Sequence, residues 1–327
     1  LEQAPPTASV RLEPPDATSP GLGLTVPIDI AVAERPEPEP GKGEVKIRMK
    51  ASSLNFRDFL MVQGLYNPRQ PLPIIPCSDG VGEVVEIGEG VSRVRVGDRV
   101  AGCFFQGWPS GEPTAEKAVT TLGSPLDGML AEYRVLNEEG VVHVPKHLSD
   151  EQAATLPCAA LTAWSALVTY GGRKAGDTIL VQGTGGVSLF GLQIGKMIGA
   201  RVVVTSSSNE KLDRAAQMGA DHGINYRETP KWGKAAREWA EGIGVDHVIE
   251  VGGAGTLQES LQAVRIGGEI SMIGVLSGGA KELSILPILM KNVRVQGIFV
   301  GHRESFEAMN RAMAQHKLVP VVDRVFP

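Results

Sequence analysis

Between Ile179 and Phe190 the chain reads Ile-Leu-Val-Gln-Gly-Thr-Gly-Gly-Val-Ser-Leu-Phe: an apolar run, a break of glycines, then apolar residues at helical spacing. That order is strand, tight turn and helix. A turn without side chains lets the backbone approach a pyrophosphate, and the helix behind it offers unpaired N–H groups and the positive end of its dipole. Gly183, Thr184, Gly185, Gly186 and Val187 are therefore candidate dinucleotide-binding residues. The third position of the Gly-x-Gly-x-x-Gly pattern holds Ser188, whose hydroxyl either adds a phosphate contact or tightens the start of the helix. A second group follows at Thr205-Ser206-Ser207-Ser208. An acid at the end of the second strand binds the ribose 2′-hydroxyl of NAD and repels a 2′-phosphate. Here that acid is missing. Hydroxyls of Ser206 and Ser207 can donate to a phosphate, and Lys211, one turn on, brings a positive charge, which favours NADPH. The competing reading makes the serines a helix N-cap and Lys211 a solvated helix residue.

These residues need a scaffold, and the alternation around them supplies one. Helix 187–198 ends at Gly199. It is followed by strand 201–205, helix 209–218, strand 222–226, helix 231–241, strand 245–251, a helix 256–265 stopped by Gly267-Gly268, and strands 269–274 and 294–300. With 179–182 this makes six strands in two βαβαβ halves, a doubly wound parallel α/β sheet whose ligand crevice lies at the strand C-termini. Gly252, Gly274, Val275 and Leu276 stand at two further strand ends, where a bound nicotinamide would lie.

The first half has a different texture. Val45, Ile47, Met49 and Ala51 alternate with polar residues, and short turn-bounded runs recur at 82–88, 94–100, 133–135 and 140–145, as in a twisted, barrel-like β domain. Before it, residues up to about Gly43 end in Glu-Arg-Pro-Glu-Pro-Glu-Pro and read as a stiff polar connector. From Ser149, a predicted N-cap, an alanine-rich helix is expected through Leu167. The expected division is 1–150 for the β domain, 151–300 for the dinucleotide domain, and 301–327 as a segment returning to the first.

Composition narrows the function. The 327 residues carry 32 Lys plus Arg against 37 Asp plus Glu, a net charge of −5 that argues against a nucleic-acid footprint. Cys77, Cys103 and Cys158 lie far apart without a Cys-x-x-Cys pair, which fits a reducing compartment. No apolar stretch reaches membrane-spanning length and no signal-peptide core stands at the start, so a cytoplasmic protein is expected, with no membrane partner. The first residue, Leu1, suggests a trimmed start.

A strand-rich first half, Gly97-Asp98-Arg99-Val100 after a glycine turn, and a late dinucleotide domain together resemble the medium-chain dehydrogenase/reductase superfamily from about Val45 onward. Ser53-Leu54-Asn55-Phe56-Arg57-Asp58-Phe59-Leu60 with Gly64-Leu65-Tyr66 is similar to its quinone oxidoreductase branch and to the enoyl reductase domains of polyketide synthases, both zinc-free NADPH enzymes. The resemblance implies a GroES-like first domain, substrate bound between the domains, and a homodimer. It also implies contacts to the cofactor from Thr162, Tyr226 and Phe299. The family continues past the position of Pro327 with a helix and a last strand, so 301–327 is expected to be an incomplete return segment.

Zinc alcohol dehydrogenases of this superfamily place Cys, His and Cys around a catalytic metal. Here those positions read Asn55, Ser78 and Cys158, so no metal is expected; Asp58, Cys77, Asp79 and Cys158 form only an improvised alternative. The four-cysteine lobe is also missing, and Phe104-Phe105-Gln106-Gly107-Trp108-Pro109 in its place is expected to be a substrate-facing or dimer-facing loop. Without a Lewis acid on a carbonyl, hydride addition to an enone or quinone becomes the expected chemistry, because charge spreads over a conjugated enolate that hydrogen-bond donors can stabilise. Asn55 supplies an amide N–H to that oxygen or fixes the nicotinamide amide, unless it only caps the turn that follows. Tyr66 donates to the oxygen or protonates the α-carbon, unless it is a packed loop aromatic. Asp58 orients its neighbours, and Cys158 is expected to be a buried small hydrophobe. The substrate is then a small apolar carbonyl or quinone. Two rivals remain, a zinc-type alcohol dehydrogenase and a non-catalytic, crystallin-like NADPH-binding protein.

Overall fold

Val45, Ile47, Val84, Val100, Leu136 and Met129 are all nearly inaccessible to solvent and meet in one core. That core organises the first of two units seen in the computed structural model, which describes residues 6–13, 29–67, 69–276 and 283–327. One unit comprises the chain up to Cys158 together with Gly301–Pro327, the other Ala159–Val300. In the first unit β1 (Pro6–Glu13) pairs with β2 (Asp29–Pro36), and β3 (Glu44–Ser53) leads into α1 (Phe56–Val62). Then come β4 (Asp79–Ile87), β5 (Arg99–Gly102), the single-turn α2 (Ala115–Ala118), β6 (Tyr133–Asn137), β7 (Val141–His143) and α3 (Asp150–Ala154). The five strands β6-β3-β4-β5-β7 form an antiparallel sheet.

Three expectations are corrected here. The stretch before Gly43 is not all connector, because Pro6–Glu13 and Asp29–Pro36 pair over eight residues each. Their sheet is tied to the body of the unit through Ala8 N–H to Glu132 (2.8 Å) and Val10 N–H to the Leu130 carbonyl (3.2 Å). The rest of that stretch lies outside the described residues, except 37–43. The run at 94–100 is mostly a turn: Gly97 takes φ +91°, Asp98 closes on the Arg95 carbonyl, and the strand begins only at Arg99. The helix after Ser149 is capped as expected, by a reciprocal Ser149–Gln152 box, but it does not run evenly to Leu167. Wider π turns at Leu156–Ala160 and Ser165–Thr169 flank α4 (Leu161–Trp164). Pro157, with no N–H to give the ladder, falls in the first of them.

The second unit carries β8 (Thr178–Gln182), α5 (Gly186–Met197), β9 (Arg201–Ser206), α6 (Asn209–Gln217), β10 (His222–Asn225), α7 (Trp232–Trp239), β11 (Val245–Glu250) and α8 (Leu257–Ala263). It ends with β12 (Val264–Met272), α9 (Leu286–Met290) and β13 (Arg294–Gly297). All six strands are parallel in the order β10-β9-β8-β11-β12-β13, the doubly wound sheet expected from the alternation. β8 is buried along its whole length, as a central strand covered on both faces must be. The helix expected to reach Arg265 stops at Ala263, because β12 starts at Val264 and carries Gly267-Gly268 inside it. The chain returns to the first unit with α10 (Arg303–His316). Among the described residues no helix is long and apolar enough to cross a membrane.

Candidate active site

In the second unit the glycine turn sits where β8 meets α5. Gly183 takes φ +72°, and a Cβ built on Gly183 or Gly185 would meet no atom within 4 Å. Gly185 is the N-cap of α5 and provides no side-chain bond to the first turn, so the N–H groups there are left to a ligand. An open cradle lined by backbone donors fits a pyrophosphate. Ser188 is buried and donates its hydroxyl to the Gln182 carbonyl at 2.5 Å, which resolves its two readings: it tightens the strand-to-helix turn.

At the end of β9, Asn225 pairs with Ser206 across to β10, and Tyr226 N–H bonds the Ser206 carbonyl. Ser206, Ser207, Lys211 and Tyr226 thus share one end of the sheet. Ser208, not Ser206 or Ser207, caps α6 by accepting Lys211 N–H, and the Lys211 ammonium is exposed. At the neighbouring strand ends Gly252-Gly253 and Gly274-Val275 touch: a Cβ on Gly253 would lie 3.0 Å from the Gly274 carbonyl oxygen. Val275, Leu276 and Phe299 expose large apolar side chains, and Thr162 is buried on α4, which packs against α5.

In the first unit the chain gathers the second group of residues. Asp58 accepts Asn55 N–H at 2.8 Å, closing the first turn of α1, and burial pushes its pKa up. Asp79, at the start of β4, is fully buried. It accepts the Ser78 hydroxyl at 2.6 Å and Cys158 N–H at 2.9 Å. Desolvation, with the nearby Asp58, raises it to about 7, although Ser78 and the Asn55 amide draw it down. Asn55 Nδ2 is itself buried without a partner at hydrogen-bonding geometry. Cys77, between them, takes φ +66°, a left-handed conformation that favours glycine, and burial pushes its thiol up. Cys158 is only half-buried, against the expectation of a core position, and its backbone N–H is given to Asp79.

Arg57 was not singled out by its sequence context, yet it is one of the best-held side chains in this unit. Its guanidinium donates to the Leu122 carbonyl (2.6 Å) and the Ser124 carbonyl (3.3 Å). It lies between two rings, 4.7 Å from the centroid of Tyr66 and 4.8 Å from that of Phe104. Tyr66 is 41% exposed, so it presents its outer face to solvent with its inner face on the cation. The expected substrate-facing loop at Phe104–Pro109 is corrected: Phe104, Phe105 and Trp108 are core residues. Phe105 packs edge-on against both other rings, and the Trp108 indole N–H reaches the Gly111 carbonyl.

Ser78 gives its hydroxyl to Asp79, and among the described residues no three His, Cys, Asp or Glu side chains converge as metal ligands. An open glycine cradle on the parallel sheet of one unit, and a buried carboxyl and amide cluster in the other, are the parts of a dinucleotide-dependent oxidoreductase.

Comparison with known proteins gives the family. Residues 41–146 match the alcohol dehydrogenase GroES-like domain, and 186–315 match the zinc-binding dehydrogenase domain. A zinc-type alcohol dehydrogenase-like protein of Schizosaccharomyces pombe is 44% identical over 86% of this chain and 83% of its own length. An acryloyl-coenzyme A reductase of Metallosphaera sedula is 33% identical over 84% of this chain and 82% of its own. A crystal structure from Sinorhizobium meliloti, described as a candidate alcohol dehydrogenase, superposes with a TM-score of 0.88 at 44% identity, covering 99% of this chain and 92% of that one. The chain belongs to the medium-chain dehydrogenase/reductase superfamily.

Proposed function

We propose that this protein is an NADPH-dependent, zinc-independent reductase of a quinone or an α,β-unsaturated carbonyl. The observation that carries the reading is the Asn55 amide, which lies beside the Asp79 carboxyl with its buried Nδ2 making no hydrogen bond of full geometry, at the position where zinc enzymes of the family hold a metal ligand. Such a donor has use for an oxygen on which charge develops. When bound, the reduced nicotinamide supplies the hydride. Asn55 donates to the acceptor oxygen as the enolate forms, and Tyr66, braced on Arg57, gives the proton. Asp58 fixes the turn that aims Asn55. On the cofactor side, Gly183–Val187 hold the pyrophosphate, Ser206, Ser207, Lys211 and Tyr226 the 2′-phosphate and adenosine, and Thr162, Gly252, Gly274–Leu276 and Phe299 the nicotinamide end. Support also comes from the acryloyl-coenzyme A reductase relative, since an acryloyl group carries a double bond conjugated with its carbonyl.

The names of other relatives favour a second reading, a zinc-type alcohol dehydrogenase. Elemental analysis and a substrate panel separate the two. The proposal expects no stoichiometric zinc and oxidation of NADPH by enones or quinones, with Asn55→Ala and Tyr66→Phe each lowering kcat at least tenfold. One zinc per chain with alcohol oxidation overturns it in favour of the second reading. Tight NADPH binding without turnover across the panel points instead to a non-catalytic binding protein.

A further inference from the structure

Glu250 closes β11 and is wholly buried, yet among the described residues no cation pairs with it. Five donors converge on it instead. Its Oε1 accepts the N–H groups of Gly252 and Gly253, both at 2.9 Å, and the Thr256 hydroxyl. Its Oε2 accepts Gln182 Nε2 at 2.6 Å and the Ser260 hydroxyl. Gln182 closes β8, the strand that runs into the glycine cradle, and its Oε1 in turn accepts Val251 N–H (3.2 Å) and Gly252 N–H (3.1 Å). Its backbone carbonyl takes the Ser188 hydroxyl. One carboxylate and one carboxamide thus join the phosphate turn to the Gly252-Gly253 turn, behind both, through bonds that are all satisfied.

From this geometry we infer that Glu250 and Gln182 are positioning residues for the dinucleotide: they fix the spacing between the loop that holds the pyrophosphate and the loop at its nicotinamide end. The inference rests on the dinucleotide reading of those loops but not on NADPH over NADH, nor on any substrate. Donor and acceptor inventories make it specific. A glutamine at 250 has one acceptor oxygen and one NH2, so in either orientation a donor faces a donor: the Gly252 and Gly253 N–H groups, or Gln182 Nε2. Exchanging the two residues restores the match. A glutamate at 182 accepts the Val251 and Gly252 N–H groups and the amide of a glutamine at 250, while the Ser260 hydroxyl turns to accept.

The test measures dissociation constants of the full-length protein for NADPH, NADH and adenosine 2′,5′-bisphosphate, a fragment that reaches only the adenosine side. Glu250→Gln is expected to weaken NADPH at least tenfold while changing the fragment less than threefold, a split that general loss of structure would not produce. The exchange Gln182→Glu with Glu250→Gln is expected to bring NADPH back to within threefold of the parent. Thr256→Val, which removes one of the five donors, is expected to weaken NADPH about threefold. Unchanged NADPH binding in Glu250→Gln, equal loss for both ligands, or an exchange variant that folds but stays tenfold weaker would overturn the inference. Should Glu250→Gln not fold, the exchange variant decides, and should neither fold, parent-like NADPH binding in Thr256→Val overturns it. A preference for NADH over NADPH overturns the proposed cofactor and leaves this inference standing.

Discussion

Asp79→Asn should make the protein more stable, and increasingly so as pH rises. An aspartate in the unfolded chain titrates at 3.8, whereas Asp79 in the folded chain titrates at about 7. A carboxyl whose pKa is raised by folding binds its proton more tightly in the native state, so stability is lost as pH climbs from the unfolded value to the folded one. The penalty is absent well below pH 4, reaches about 2 kcal/mol at pH 5 and about 4 kcal/mol at pH 8. Asparagine carries no such penalty and keeps the local bonds: its oxygen accepts Cys158 N–H and its NH2 donates to the Ser78 hydroxyl, which turns round. The gap between variant and parent should therefore widen by about 2–3 kcal/mol from pH 5 to pH 8. For a unit of this size that is about 5–10 °C in melting midpoint. Thermal unfolding followed by circular dichroism at four pH values reads it directly. A gap that stays constant over this range would refute the reasoning, because it would mean that the proton on Asp79 is not linked to folding.

Replacing Arg57 by Met removes the cation but keeps an apolar stem, and takes away the Arg57 donor of the Leu122 carbonyl and one of the two donors of the Ser124 carbonyl, which keeps the Thr121 hydroxyl. A loss of about 3 kcal/mol in denaturant unfolding is expected. At Cys77, φ +66° inverts the usual ranking of small residues: Cys77→Gly should be more stable than Cys77→Ala by about 1 kcal/mol, measured the same way. Two glycines should respond differently to alanine. At Gly274 a Cβ would stand 2.2 Å from the Val251 carbonyl oxygen, so Gly274→Ala should destabilise markedly. At Gly183 the space is open and only φ +72° opposes the change, so Gly183→Ala should lower stability by about 1 kcal/mol while weakening dinucleotide binding more than that, as read by calorimetric titration.

Much of the dinucleotide unit was legible because its signals are local. β8 and β9 are apolar runs closed by a glycine and by a hydroxyl cluster, and Gly199 and Gly219, both at positive φ, end their helices within a residue or two of where the pattern stops. The β1–β2 pair was not legible, because its strands are set among prolines and neither has a long apolar alternation. What makes them strands is each other's backbone and the Glu132 carboxylate far along the chain. Phe104–Trp108 misled for a related reason. Aromatics beside Gly and Pro read as an exposed loop, and only the edge-on packing of the rings and the Gly111 partner of the indole reveal a core.

The two buried acids show where local reading of a site runs out. Asp79 opens β4 and Glu250 closes β11, each within two residues of a glycine, a position that suits a turn residue as well as a functional one. Their difference lies in donors brought from elsewhere. Glu250 finds all five within eleven residues of itself or on the adjacent strand, so the sheet that the sequence predicts already delivers them. A charged residue directly after Val248-Ile249 and two residues before Gly252-Gly253 was the available signal. Asp79 depends on Cys158, seventy-nine positions away, and on Asn55 at the head of α1. Too few donors reach it to offset desolvation, which is why it is the acid whose proton is held near neutral pH. The site thus keeps a titratable group beside the Asn55 amide, whose Nδ2 makes no hydrogen bond of full geometry, and this pairing, rather than any single motif, supports reading it as a place for a developing oxyanion.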